Sequence, residues 1–364
     1  MSVTTAALKA MGWHSALADA FAPHAISGRV PARVVEEERG KFLIHDGDAT
    51  HSAAVSGRLR HESGGDPLAY PTVGDWVVAT AGSINQQVTI HALLPRQSAI
   101  VRRAPTDHRT GAQVIAANVD TVFIVTSLNG ELNLRRVERY LAVAWESGSA
   151  PVVVLSKADL ADDRDGSLAA VESVAPSVEI IVASAISGEG IEDIRAHLGP
   201  GRTVAFIGSS GVGKSTLVNR LAGRELMTTD GIRQSDARGR HTTTRRQLVA
   251  LADGLVIDTP GMRELALLDG DGLAGAFEDV ERIALTCRFN DCSHRSEPDC
   301  AVQAALAIGS LDAARLEAFE SLRREARRSE LANDIVTRKA ERRKWTVISK
   351  SVGRHMREKY GDAQ

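Results

Sequence analysis

The sequence predicts a multidomain α/β protein in three parts, and three patterns point to it. Between Gly28 and about Val101, short alternating apolar segments are separated by Gly, Asp, Ser and Pro clusters, the pattern of a small antiparallel barrel. After Arg109, apolar and β-branched runs alternate with helical patterns, which implies a mostly parallel sheet covered on both faces. From about Leu273 the chain reads as helices around a cysteine and histidine cluster, followed by an arginine-rich tail.

The barrel segments include Ala32–Val35, Lys41–Ile44 and Asp75–Ala79. Ahead of them Leu8, Met11, Trp13 and Leu17 recur near helical spacing, so a short helix packing on its neighbour is expected. The central strand candidates are Val119–Val125, Pro151–Leu155, Val178–Val182, Thr203–Ile207 and Gly254–Ile257, with a helix over Leu134–Trp145. A chain of 364 residues exceeds what a single core usually organises, and the expected divisions are 1–101, 102–272 and 273–364.

Hydrophobic residues make up 43% and charged residues 25%, the balance of a soluble globular protein. A net charge of -2 gives no global sign of a nucleic-acid binder. Arginines nevertheless gather at Arg96, Arg102, Arg103 and Arg109, at Arg238, Arg240, Arg245 and Arg246, and repeatedly from Arg323 onward. Such blocks can neutralise phosphates locally, although the last stretch reads equally well as a solvated face paired with interleaved glutamates. The first 25 residues lack a signal-peptide core and no later run is long and apolar enough to span a bilayer, so a cytoplasmic setting without membrane contact is expected. Three cysteines do not suit a disulfide framework.

The strongest local signal is the run Gly208, Ser209, Ser210, Gly211, Val212, Gly213, Lys214, Ser215 and Thr216, between a strand candidate and a helical pattern through Leu217 and Leu221. This is a phosphate-binding loop in its strand-to-helix context: backbone N–H groups close around the phosphates, Lys214 meets the β and γ oxygens, and the Ser215 hydroxyl can ligate Mg²⁺. Base choice lies in Ser156, Lys157, Ala158 and Asp159, directly after the strand at Pro151–Leu155. The Asp159 carboxylate can accept from guanine N1–H and the 2-amino group, whereas adenine presents a lone pair to it. GTP and GDP are therefore expected to bind and ATP is not. Ser184 and Ala185, one strand later, are placed for the guanine O6.

Asp258 and Gly261 of Asp-Thr-Pro-Gly follow another strand, so Asp258 can hold Mg²⁺ through water and the Gly261 N–H can reach the γ-phosphate. The segment from Gly239 to Thr244 supplies three hydroxyls, Thr242, Thr243 and Thr244, any one of which can complete the Mg²⁺ shell; Thr243 is taken as the ligand. In ordinary GTPases the phosphate loop precedes the base motifs, whereas here Lys157 and Asp159 precede Gly208. The same sheet results if the chain is cut elsewhere and the old ends are joined, so the domain is circularly permuted. A small-molecule kinase is disfavoured by Asp159. Cys287, Cys292, His294 and Cys300 lie within one short segment and supply three thiolates and an imidazole, enough for one closed structural zinc site.

With these motifs in place, the sequence resembles the RsgA (YjeQ) family of ribosome small-subunit-dependent GTPases over nearly its whole length. The likeness rests on Val73-Gly-Asp-Trp76, the permuted order, the segment from Gly239 to Thr244 and the cysteine spacing. It implies an N-terminal OB-type β-barrel, a circularly permuted P-loop GTPase domain and a C-terminal helical zinc-binding domain. It also implies binding to a maturing 30S subunit and its 16S rRNA and GTP hydrolysis stimulated by the subunit; a monomer, with other small-subunit assembly factors as further partners, is expected. Ser156 stands where the family usually carries Asn or Thr, and the shorter side chain is expected to weaken contact to base and loop. Met262 stands where many GTPases carry the Gln that orients water. A thioether cannot do so, and His241, in the loop expected to cover the γ-phosphate, is the catalytic candidate, a position to which the resemblance also points.

Overall fold

The computed structural model describes residues 5–26, 28–38, 40–64, 66–82, 87–103, 112–130, 132–227, 246–258, 265, 267 and 270–330. Strands β1 (Arg29–Glu38), β2 (Lys41–His45), β3 (Thr50–Val55), β4 (Trp76–Thr80) and β5 (Val88–Leu93) close on themselves in the order β1-β2-β3-β5-β4-β1. Only β3 and β5 run parallel, which is the five-stranded Greek-key barrel. Period-two alternation decides what fills it: Ala32, Val34, Phe42, Ile44, Val77, Ala79 and Ile90 point inward. Trp76 and Val78, on the opposite face of β4, pack against Leu8, Leu17 and Leu94. The N-terminal segment thus has the core role its spacing predicts, but as two short helices, α1 (Thr5–Ala10) and α2 (Ser15–Phe21), while α3 (Gly57–Glu62) follows β3. A Met11–Gly12 turn carries the backbone past the buried Arg33 and breaks the expected single helix.

The central sheet is ordered β10-β9-β8-β11-β13-β12, with ranges β8 (Thr121–Ser127), β9 (Ala150–Ser156), β10 (Glu179–Val182), β11 (Thr203–Gly208), β12 (Arg246–Ala250) and β13 (Leu255–Asp258). All neighbours pair parallel except β12 with β13. Each continuous apolar run splits by alternation between two cores. Val122, Ile124, Val153, Leu155, Ala205 and Ile207 join Leu141 of α4 (Leu134–Glu146) and Val171 of α5 (Arg164–Val174). Phe123, Val125, Val152, Val154, Val204 and Phe206 join Ile194 of α6 (Ile191–Ala196) and Leu217 of α7 (Lys214–Ala222). A separate hairpin of β6 (Ala99–Arg103) and β7 (Ala112–Ala117) lies between barrel and sheet in sequence.

Barrel and sheet form one hydrogen-bonded surface, because β12 pairs antiparallel with β1 and the Arg246 guanidinium meets Glu37 at 2.5 Å. Arg33 crosses the same junction. It is 1% exposed and donates to the carbonyls of Gly74, Asn118 and Met11 and to the Thr203 hydroxyl. Burial lowers its pKa to about 10, opposed by Asp120 and Asp75. Arg96 likewise pairs with the fully buried Asp75 at 2.8 Å. Arg96 and Arg246, grouped by sequence with phosphate-neutralising arginines, are therefore structural ties; carboxylates in the fold already satisfy them.

After β13 come α8 (Gly272–Ala276), α9 (Glu278–Ala284), α10 (Ala301–Ala307) and the helical residues 313–330. Helix α8 lies so close to α4 that a Cβ on Gly272 would sit 2.0 Å from the Ala142 carbonyl oxygen. Arg315, buried between the two parts, donates to Glu138 and Asp279 at 2.8 Å and to the carbonyls of Ala276 and Val174. No helix among the described residues is long and apolar enough to cross a membrane.

Removing one partner of a buried charged network typically costs about 3–5 kcal/mol because the remaining polar groups stay desolvated. Arg33→Met is therefore expected to lower the thermal midpoint followed by tryptophan fluorescence, since Trp13 and Trp76 lie at this junction. An unchanged midpoint would show that the junction does not depend on Arg33.

Candidate functional site

Strand β11 ends in Gly208, whose φ of +145° and closeness to Val125 admit no side chain: a Cβ would sit 2.3 Å from the Val125 carbonyl oxygen. The chain then loops through Ser209, Ser210, Gly211 and Val212 to Gly213, which precedes the first turn of α7 at Lys214, Ser215 and Thr216. The Lys214 ammonium folds over this loop and donates to the carbonyls of Gly208 at 2.9 Å and Ser209 at 2.5 Å. Loop N–H groups at a helix start, with an ammonium across them, form an anion cradle.

The base motif leaves the end of β9. Lys157 adopts a left-handed conformation (φ 58°, ψ 41°) that turns the chain into a 3₁₀ segment, Ala158–Leu160, and leaves the Asp159 side chain exposed. The Ser156 hydroxyl lies 2.5 Å from the Val212 carbonyl oxygen and 3.1 Å from that of Thr126. Despite its short side chain, Ser156 thus touches the phosphate loop directly, and the base motif is tied to it. The next loop, from the end of β10, fixes Asp159: the buried Ser184 hydroxyl donates to its carboxylate at 2.5 Å and accepts from the N–H groups of Ile186 and Ser187. Ala185 follows at the mouth of an open cleft of about 570 Å³ that also touches Gly188, Thr216, Asn219 and Arg220.

These groups meet because β8, β9, β10, β11 and β13 are parallel, so their C-terminal ends share one rim of the sheet, the usual ligand edge of such folds. Asp258 closes β13 at that rim beside β11. His241, Thr242, Thr243, Thr244, Gly261 and Met262 lie outside the described residues, as do Arg109, Arg238, Arg240, Arg245 and the tail beyond residue 330. One contact was not read from sequence: on α4, the Arg136 guanidinium donates to the Ser209 hydroxyl at 2.5 Å, and Tyr140, whose pKa burial pushes up, interacts with the same hydroxyl. Arg136 and Ser209 are 73 residues apart, and no motif links them.

On the C-terminal module, the ligand atoms of Cys287, Cys292, His294 and Cys300 all lie within 4.8 Å of one another. Cys287 Sγ is 3.9 Å from Cys300 Sγ and 3.6 Å from His294 Nδ1, and Cys300 Sγ is 3.7 Å from the same nitrogen. With Zn–S near 2.3 Å and Zn–N near 2.0 Å, a tetrahedral site has S–S edges of about 3.8 Å and S–N edges of about 3.5 Å, so this donor set fits the ion. His294 and Asp299 take positive φ to turn the loop inward, and Cys300 caps α10 by accepting from Gln303 N–H. Desolvation raises the Cys287 thiol, but the N–H groups of Val302 and Ala301 outweigh it and draw its pKa below the ordinary value, while desolvation pushes Cys292 up to about 11.

Fold and site together define a P-loop GTP-binding domain whose strands are threaded in circularly permuted order. Residues 93–268 match the family model described as RsgA GTPase. The chain is 44% identical over 352 residues to the small ribosomal subunit biogenesis GTPase RsgA of Opitutus terrae, covering 94% of this chain and 95% of that one. It is 41% identical to the RsgA of Syntrophotalea carbinolica, covering 98% and 100%. Among solved structures it is similar to YjeQ from Thermotoga maritima, with TM-score 0.61 and 25% identity over 82% of this chain and 98% of that one. YloQ, described as a circularly permuted GTPase, shares the fold with TM-score 0.58 and 21% identity over 84% and 97%. The chain belongs to the RsgA GTPase family and is a GTPase of that family.

Hydrogen bonds to charged groups contribute about 1.5–3 kcal/mol. Ser184→Ala, which frees the Asp159 carboxylate, should weaken GTP and GDP alike by roughly tenfold or more in equilibrium binding. Unchanged affinity would mean that Asp159 is oriented by other means.

Proposed function

We propose that this chain is a GTP-driven checkpoint in late maturation of the 30S subunit, binding 16S rRNA and hydrolysing GTP on the subunit. The observation that carries this reading is the tied base motif, Ser184 to Asp159 and Ser156 to Val212, in a chain whose relatives are named small ribosomal subunit biogenesis GTPases. Three working parts serve it: residues 1–101, 102–272 and 273–364.

In this reading Asp159 accepts from the guanine N1–H and 2-amino group, beside Ser156, Lys157 and Ala158, and the Ser184–Ala185 loop meets O6. Residues from Gly208 to Thr216 hold the phosphates, with Lys214 turning from its loop carbonyls to the β and γ oxygens. Ser215 and Thr243 would hold Mg²⁺, Asp258 reaching it through water, and the Gly261 N–H meets the γ-phosphate. Mg²⁺ supplies charge neutralisation at the phosphate oxygens. Since Met262 cannot direct water, His241 orients it when the protein is bound to the subunit. With Arg96 and Arg246 engaged internally, rRNA phosphates fall to other arginines, and the low aromatic content of 4% makes base stacking a minor term. Other small-subunit assembly factors share the platform, and the protein acts as a monomer.

Co-sedimentation with purified 30S subunits should be stronger with a nonhydrolysable GTP analogue than with GDP, by linkage between subunit and γ-phosphate. His241→Ala should keep both binding reactions and lose most of the stimulated turnover. No sedimentation in either state would favour a GTP switch acting on protein partners. Stimulated turnover equal to the parent would instead place the water-orienting group outside His241.

One Zn²⁺ per chain would be held by Cys287, Cys292, His294 and Cys300, a closed set that supplies folding energy rather than catalysis. Elemental analysis of protein purified without chelators is expected to give one zinc per chain, and chelation should unfold the C-terminal module before it weakens GTP binding. A zinc-free protein with an intact module would overturn the assignment.

A further inference from the structure

We propose that Arg136 is an arginine supplied in cis to the γ-phosphate, a catalytic residue of the GTPase reaction. The inference rests on the nucleotide-site reading above and needs no ribosomal subunit. The juxtaposition is direct. Two cations converge on Ser209 from opposite ends: the Lys214 ammonium contacts its carbonyl oxygen at 2.5 Å, and the Arg136 guanidinium contacts its hydroxyl at 2.5 Å.

The surroundings of Arg136 set it apart from its helix neighbours. Arg135 meets Glu138 and Glu317, and Arg139 makes a two-point pair with Glu325. Among the described residues no carboxylate pairs with Arg136, and its side chain is exposed. It also occupies the first turn of α4, where a cation opposes the helix dipole. An unneutralised guanidinium there, beside a second cation on a phosphate loop, is offset electrostatically by an anion at the loop. The backbone that carries it is held firmly: Asn133 caps the Arg136 N–H, and Glu138, two residues on, is locked by Arg315. The guanidinium therefore swings on its own side chain while its anchor stays fixed.

In the reaction the water oxygen bonds to the γ-phosphorus as the bond to the β–γ bridging oxygen breaks. GDP leaves with that electron pair, and the water protons end on inorganic phosphate and solvent. Arg136 transfers no proton; it leaves Ser209 and donates hydrogen bonds to the oxygens on which negative charge accumulates. An arginine in this role is worth roughly 10³–10⁵ in rate in other GTPases.

The test is single-turnover GTP hydrolysis by the full chain without subunits, comparing parent, Arg136→Gln and Arg136→Lys, with GDP affinity measured in parallel. Arg136→Gln is expected to slow hydrolysis at least about tenfold while GDP affinity stays within about twofold, and Arg136→Lys to fall between. A purely structural role in shaping the loop would weaken GDP together with the rate. Either that parallel loss or a rate within about twofold of the parent would overturn the proposal. Failure of the parent to bind guanine nucleotides would instead strike the underlying site.

Discussion

Because β11 pairs in parallel with both β8 and β13, the C-terminal ends of these strands lie on one rim of the sheet. The phosphate loop follows β11, the base motif follows β9, the Ser184 loop follows β10, and Asp258 ends β13. Chain order plays no part in this convergence. Parallel pairing and burial on both faces set strand positions, so a permuted chain rebuilds the same rim. Short hydrogen bonds then join neighbouring turns, Ser156 to the Val212 carbonyl and Ser184 to the Asp159 carboxylate.

Permutation has a structural cost and a use. In this order β12 pairs on its free edge with β1 of the barrel. An exposed sheet edge is thereby covered, and Arg246 at the start of β12 is attached to the barrel through Glu37. At the other end, the chain after β13 runs into α8 and the cysteine module, where Arg315, Glu138 and Asp279 form a buried charged joint against α4. Such joints contribute modestly to net stability, because desolvation offsets attraction, yet they are costly to break and so define one docking geometry.

Helix α4 makes contact with both the phosphate loop and the C-terminal helical residues. Along little more than one turn it meets the phosphate loop through Arg136, the Leu265 carbonyl through Arg139 and the C-terminal helical residues through Arg135, Glu138 and Arg139. Gly272 lets α8 lie against its backbone. The phosphate loop and the C-terminal helical residues thus contact the same helix.

Local patterns were legible in the sequence: the glycine-rich turn from β11 into α7 at Gly208, the aspartate at a strand end at Asp159 and the four donors clustered around Cys287 each lie within a short stretch of chain, and the fold places them as those patterns predict. Strands buried on both faces likewise showed as unbroken apolar runs such as Val119–Val125. Tertiary structure alone decided how the parts meet. The break between α1 and α2, the internal pairing of Arg96 and Arg246, Arg33 reaching Thr203 across 170 residues and Arg136 reaching Ser209 across 73 depend on which surfaces fold together. A contact between residues far apart in the chain imposes no period on either segment, and a single arginine reads the same whether it faces water, a carboxylate or a phosphate loop.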